Sequence, residues 1–259
     1  MAEAYTRVPR ALAAFVPLLA LLLLWHAAAS GGWVSPRVLP PLDVVAATVW
    51  QELTQGRLPE HLGTSLVRIL AGFVIGGVVG WLFGLAVARW RAAALLLEPV
   101  VIAGYPVPKL AFFPVVVFIF GFGTPSKIAF AAVESFYPVA LATIFAVRAV
   151  PTGLIWAARN AGAGRLRLLF QVVLPASLPG LMGGLRIALP ISVTVITVTE
   201  MMGDRVGLGH YIAVSAAGFR YDRVYAGLLA VGLLGFLLDR GFVALRAALL
   251  PWLGAARRQ

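Results

Sequence analysis

The stretch from Trp156 to Pro179, WAARNAGAGRLRLLFQVVLPASLP, decides how this chain folds. It is polar and basic and lies between long apolar runs. Three residues separate Ala158 from Gly162, nine separate Gly162 from Val172, and Leu174-Pro175 follows. Val150-Pro151 ends the preceding apolar run, because proline disfavours helix at the residue before it. Ala157 to Leu169 is then expected to form a short helix, with Ala157, Ala158, Ala161 and Leu168 on or near one face. Gly162 lacks a side chain and permits a close backbone approach or a sharp change of direction. Arg159, Arg165 and Arg167 suit acidic groups on a partner or lipid phosphates. Pro175 and Pro179 restart the chain into the next apolar run.

Composition points to the bilayer. Of 259 residues, 61% are hydrophobic and 12% charged, against about 25% charged in an ordinary soluble domain. One soluble core of this size has no room for so much apolar surface. There is no cysteine, which excludes disulfides, thiolate metal sites and a cysteine nucleophile. The net charge of +11 does not form a basic stripe with interleaved aromatics, so nucleic acid is not an expected partner. The basic residues gather at the ends of hydrophobic runs instead.

A helix needs about 20 residues to cross the hydrocarbon core. Six runs qualify: Ala11 to Ala29, Leu66 to Ala88, Leu95 to Phe120, Ile128 to Val147, Leu181 to Met202 and Tyr225 to Leu250. The expected fold is all-α, a polytopic bundle of about six transmembrane helices. The first run is too long for a typical signal-peptide core, and Ala27-Ala28-Ala29-Ser30 is a weak cleavage site, so a retained helix is expected. Expected domains are residues 1–60, the first helix and an outer amphipathic segment; 61–250, the transmembrane core with its loop at about 151–175; and 251–259, a basic tail.

The positive-inside rule sets the orientation. With both termini inside, the inner segments and span ends hold Arg7, Arg10, Arg89, Arg91, Arg148, Arg159, Arg165, Arg167, Arg240, Arg246, Arg257 and Arg258. The outer segments hold Arg37, Arg57, Lys127, Arg205, Arg220 and Arg223, with Asp43, Glu52, Glu60, Asp204 and Asp222. This places the Ala157–Pro175 loop in the cytoplasm. Leu42 to Leu53 has apolar residues at helical spacing; it is either an amphipathic helix at the outer interface or a packing helix that caps the bundle. Gly207-Leu208-Gly209 is expected to be a tight outer turn. No strand precedes it, which argues against phosphate binding.

The loop resembles the cytoplasmic loop of binding-protein-dependent ABC importer permeases, whose pattern EAA---G---------I-LP it matches in spacing throughout. Trp156 replaces the glutamate and Val172 the isoleucine. Further blocks are similar to the nitrate/sulfonate/taurine permeases: Thr64-Ser65-Leu66-x-Arg68 with Ala71-Gly72-Phe73, Pro106-Val107-Pro108-Lys109 with Phe113-Pro114, and Gly121-x-Gly123 with Ser126-Lys127. Phe136-Tyr137-Pro138, Gly184-Leu185-Arg186 and Glu200 with Gly207-Leu208-Gly209 complete the set, which covers about residues 40 to 250.

The resemblance implies a transport subunit of the bacterial inner membrane, not an enzyme, with no cofactor of its own. ATP and Mg would be bound by a partner ATPase, present in two copies. A periplasmic or lipid-anchored binding protein, a second copy of this chain and membrane lipids would complete the assembly. The residues implied in coupling are Ala157, Ala158, Arg159, Gly162, Ala163, Arg165, Leu168, Leu174 and Pro175. Without the resemblance, a basic loop held by anionic lipid fits the composition equally well.

Charges at membrane depth are costly unless paired or hydrated, so they are candidates for a translocation pathway. Lys109 follows two prolines in the third run, and Glu134 lies in the fourth, where an ion pair between them is possible. Glu200 ends a run rich in hydroxyls that includes Thr194 and Thr197. The same groups also suit helix–helix contacts, and the glycines of the second run suit close packing.

Two other function classes are weaker. His26, His61 and His210 are scattered without metal-ligand spacing, against a membrane enzyme. No internal duplication supports a secondary transporter or channel. Solute choice in such importers lies largely with the binding protein; the sulfonate and nitrate relatives point to an anion.

Overall fold

The computed structural model describes residues 10–252, with side chains from Val16 onward except Leu18. Among the described residues every regular element is helical. In chain order they are α1 (Arg10–Ser30), α2 (Leu42–Thr54), α3 (Leu58–Arg89), α4 (Arg91–Gly104), α5 (Phe113–Phe120), α6 (Thr124–Arg148), α7 (Thr152–Asn160), α8 (Arg165–Leu168), α9 (Leu174–Met201), α10 (Leu208–Ala217) and α11 (Tyr221–Leu249). Among the described residues four helices are long and apolar enough to cross a membrane: α3, α6, the continuous run Arg165–Met201 and α11. α4 and the segment Lys109–Phe120 make a fifth span if counted together. The first expected span falls on α1, whose described apolar part is Leu19–Ser30. Arg7, Arg257 and Arg258 of the expected terminal segments lie outside the described residues.

Four expected spans need correction. The third, Leu95 to Phe120, is not one helix: it bends by 92° between Gly104 and Lys109. Pro106 and Pro108 remove two backbone donors there, which a continuous helix cannot tolerate. The second and fourth start earlier than expected, at Leu58 and Thr124. Their first turns carry Glu60 and Lys127, and a hydropathy reading stops at charges; within the bundle Asp204 neutralises Lys127. The fifth begins at Arg165, well before Leu181, with a π-turn at Leu169–Val173. Pro175 offers no N–H, and the Leu174 N–H bonds to Leu169 O, one residue further back than in an α-helix.

The chain divides into two compact units. One comprises Met1–Pro59 with Tyr211–Leu229. Here the Trp25 indole donates to Pro40 O at 3.0 Å and lies 4.9 Å from the Tyr225 ring. Glu52, on the buried face of α2 with Val45 and Thr48, pairs with Arg223 at 2.8 Å.

The other unit comprises Glu60–His210 with Ala230–Gln259. Its centre is α3, α6 and α9. Gly72, Gly76, Gly80 and Gly84 form a stripe on α3 at four-residue spacing, the repeat that keeps residues on one helix face. Each faces the backbone or short side chains of α6: a Cβ at Gly80 would lie 2.7 Å from Phe136 O, and one at Gly84 2.6 Å from Ala140 O. Small residues let backbones approach where lipid offers no hydrophobic drive for association, so dispersion replaces it. Gly180 and Gly184 of α9 meet Ala146 and Ala142 of α6 in the same way. Ser192 Oγ donates to Ile69 O at 3.0 Å and joins α9 to α3. Phe242 of α11 packs edge-on against Phe73 with Met182 and Leu189 nearby.

Candidate functional site

The loop between α6 and α9 is two short helices joined at a sharp corner. This corrects the single helix expected from Ala157 to Leu169. α7 starts earlier, at Thr152 after Pro151, and stops at Asn160. Gly162 adopts φ +79°, a left-handed conformation that favours glycine. Its N–H bonds to Arg159 O at 2.9 Å, and the Ala163 N–H bonds to Ala158 O at 3.0 Å. This pair is the Schellman pattern, which satisfies the last carbonyls and ends the helix. α8 then starts at Arg165 in a new direction.

One face of this corner is packed and the other is free. Val147, Val150, Leu168 and Val173 are buried together, with Ile155, Ala158, Leu169 and Val172 against them and Leu85 and Ala88 of α3 alongside. Ala163 and Leu174 are half-buried, whereas Ala157, Arg159, Arg165 and Pro175 are exposed. Trp156, Leu166 and Phe170 stand outward at 65%, 72% and 63% exposure. The loop is therefore a stiff, apolar-and-basic projection fastened to the ends of α3 and α6. Arg148, at the end of α6, makes a bidentate bridge to Glu98 of α4 at 2.6 and 2.7 Å. Fifty residues apart in sequence, Glu98 and Arg148 give no local signal, and Glu98 was not among the expected sites.

Glu200 sits in a cluster that assembles three helices. Its Oε1 accepts from Arg68 Nη1 at 2.8 Å, and its Oε2 accepts from Ser65 Oγ at 2.7 Å and from the Gly209 N–H at 3.1 Å. Arg68 also lies 2.7 Å from Asp204 Oδ2 and donates to Val206 O and Thr124 Oγ1. Lys127 reaches Asp204 at 3.0 Å. The Leu208 and Gly207 N–H groups bond to Ser65 Oγ and His61 Nδ1. Gly207 is not a free turn: its φ of +131° delivers the chain straight into α10. Burial pushes the Asp204 carboxyl up, but the hydrogen bonds from Lys127 and the Arg205 N–H and the charges of Lys127 and Arg68 hold it below the usual aspartate range.

Lys127, expected in an outer segment, is 1% exposed, and Glu200 is fully enclosed. Two bases and two acids balance, as buried charges require. Glu200 thus faces protein, not a cavity. Arg68 belongs to a block that resembles the family, but no local signal marks it as a site, because its partners are more than 50 positions away.

Lys109 and Glu134 do meet. Their charged atoms are 3.5 Å apart, at the elbow between α4 and α5. Lys109 Nζ also donates to Tyr105 O at 3.0 Å and Val107 O at 3.3 Å, and stands 4.5 Å above the Tyr137 ring. Thr194 is exposed and lines an open cleft of about 340 Å³ with Val193, Gly232, Phe236 and Asp239. Its hydroxyl donates to Pro190 O, and that of half-buried Thr197 donates to Val193 O, so both back-bond to their own helix. The pathway candidates therefore occupy three separate places.

A multi-pass helical bundle with a stiff projecting loop between two spans defines the membrane subunit of a transporter. The chain belongs to the family of binding-protein-dependent transport system inner membrane components, whose profile matches residues 72–250. It is 32% identical over 242 residues to the taurine transport system permease protein TauC of Escherichia coli (strain K12), covering 92% of this chain and 88% of that protein. SsuC of the same organism, ascribed to aliphatic sulfonate transport, is 33% identical over 239 residues, with 92% and 90% covered. The riboflavin transport system permease protein RibX of Chloroflexus aurantiacus is 33% identical over 219 residues, with 85% and 82% covered. In fold, the chain is similar to the MetNI methionine ABC transporter in inward-facing conformations: TM-score 0.58, 24% identity, 80% of this chain and 97% of that one.

The chain is accordingly a permease subunit of an ABC importer in the inner membrane. It is not itself the enzyme: a separate ATPase hydrolyses ATP, and a substrate-binding protein delivers the solute.

Proposed function

We propose that the chain imports a small organic or inorganic anion, such as a sulfonate, taurine or nitrate, as one half of a homodimer that carries two ATPase subunits. The cargo reading rests on TauC and SsuC, which match along nine-tenths of the chain. The assembly reading rests on the single projecting loop in each chain: a two-fold pair presents two. ATP and Mg²⁺ belong to the ATPase, and both termini lie on its side of the membrane, as the positive-inside rule requires.

The observation that carries the coupling reading is the two-faced corner at Gly162. Trp156, Leu166 and Phe170 with Arg159, Arg165 and Arg167 offer a groove-filling, basic surface. The buried face joins that surface to α3 and α6, so a push on α7 moves both helices together. Asp204, Arg68 and Glu200 fix the opposite ends of α3, α6 and α9. Lys109 with Glu134 at the elbow and, separately, Thr194 with Thr197 on α9 are left as groups of the path; Glu200 serves it by holding the helices around it.

The test is uptake of taurine, alkanesulfonates and nitrate by vesicles that hold the permease, its ATPase and its binding protein. Mass measurement of the solubilised complex accompanies it. Saturable ATP-dependent uptake of one of these anions and two permease copies per complex are expected. Uptake confined to solutes that carry no anionic group would overturn the cargo reading, and a single permease copy or two different permeases would overturn the homodimer.

A further inference from the structure

The pair at the α4–α5 elbow differs from the other ion pairs of its unit. At 3.5 Å it is longer than those at Glu98 (2.6 Å), Glu200 (2.8 Å), Asp204 (2.7 and 3.0 Å) and Asp239 (2.7 and 3.0 Å). Its ammonium is also held by the carbonyls of Tyr105 and Val107 and by the Tyr137 ring, none of which involves the carboxylate. Glu134 lies ten positions into α6, about 15 Å along the helix at 1.5 Å per residue, which is close to mid-membrane. Tyr105, Pro106, Val107 and Pro108 are exposed around it, so this chain leaves the elbow open on one side. A broken helix at mid-membrane is tolerated only where protein or a wet cavity covers it. The cluster of four charges at Arg68 has no such opening.

We propose that Lys109 is the contact for the transported anion inside the membrane. Glu134 is the internal carboxylate that occupies the ammonium between transport events. The anion displaces Glu134 as it enters, the elbow carbonyls keep Lys109 in place, and return of Glu134 drives the anion onward. The site takes a small oxyanion with one acidic head, of sulfonate or carboxylate size. This inference rests on the anion-importer reading above and adds the residue that recognises the charge.

The absence of cysteine makes a direct test possible. In the assembled complex, Glu134→Cys gives the permease one thiol beside an unpaired Lys109. Its modification rates are measured with two thiosulfonate reagents, one carrying a sulfonate and one a trimethylammonium group, each normalised to a free thiol in solution. The sulfonate reagent should be favoured by roughly fivefold or more, the pull of one nearby cation in a medium less polar than water. Added methanesulfonate should slow it more than chloride at equal ionic strength. Glu134→Cys with Lys109→Gln should lose the preference. Lys109→Cys, which keeps Glu134, should prefer the cationic reagent, and it decides the matter if Glu134→Cys does not assemble.

Equal normalised rates for the two reagents, or no modification by either, would overturn the inference. Co-purification with the ATPase, and its stimulation by binding protein, are scored on the unmodified complex. Failure there would instead overturn the importer assembly.

Discussion

Arg68 and Glu200 form a salt bridge of 2.8 Å between α3 and α9, and both side chains are shut away from solvent. Removing one partner of such a pair leaves an uncompensated buried charge, a cost of about 3–5 kcal/mol. Glu200→Ala should therefore reduce the assembled complex severely, and Glu200→Gln, which keeps a hydrogen-bond acceptor for Arg68, should reduce it less. Size-exclusion yield and thermal unfolding in detergent check this. Arg68→Gln with Glu200→Gln should be less destabilised than the sum of the two single variants, because the pair is lost together. Normal stability with defective uptake in Glu200→Gln would return Glu200 to the pathway.

Asp204 gives a pH test. Its carboxyl is held below the aspartate value of about 3.9, so it is more acidic in the folded chain than in the unfolded one. The stabilisation it provides is fully present above the unfolded value and is lost as pH falls through the lower folded value. Thermal stability attributable to Asp204 should thus be flat from pH 7 to about 5 and fall only at stronger acidity. Asp204→Asn should lower stability at pH 7 and flatten that acid limb, since Lys127 and Arg68 then face a neutral amide. A variant that lost as much stability on acidification as the wild type would contradict the assignment.

Gly162 tests the loop. A Cβ there meets no atom within 4 Å, so space is not the obstacle; the φ of +79° is. A left-handed conformation costs an ordinary residue roughly 1–2 kcal/mol, and asparagine less. Gly162→Asn should therefore couple better than Gly162→Ala, and Gly162→Trp should couple worst while remaining inserted. ATPase retained on permease membranes, together with uptake, gives the ranking. Wild-type uptake by Gly162→Trp would sink the coupling role of the loop.

Gly80 tests the seam between α3 and α6. Its backbone faces Phe136 O and Ala140 N, neither of which can swing aside. Overpacking costs typically 1–3 kcal/mol where side chains can adjust, so Gly80→Val should reach the top of that range or exceed it. Gly232→Val, at a position in open space on α11, is the matched control. Comparable thermal stability of the two variants would show that the seam does not need its glycines.

The sequence alone determined the class of this molecule. Apolar runs of span length, six candidate helices and the fixed spacing of Ala158, Gly162, Val172 and Leu174-Pro175 are local properties of the chain. The glycines of α3 also reveal their packing role locally, since one helix face requires only four-residue spacing. The structure decided what depends on separation in the chain. It joined Arg68 to Glu200 across 132 positions and Glu98 to Arg148 across 50, and it buried a lysine that local charge counting puts in an outer segment. It also broke the third run at Tyr105–Pro108, where hydropathy alone predicts one span. It turned the loop at Gly162, using the change of direction that glycine permits, where one short helix from Ala157 to Leu169 is the local expectation. The physical reason is common to all of these. Hydropathy scores each residue by its own cost in lipid, whereas a buried charge or a broken helix is tolerated only through partners that the fold supplies.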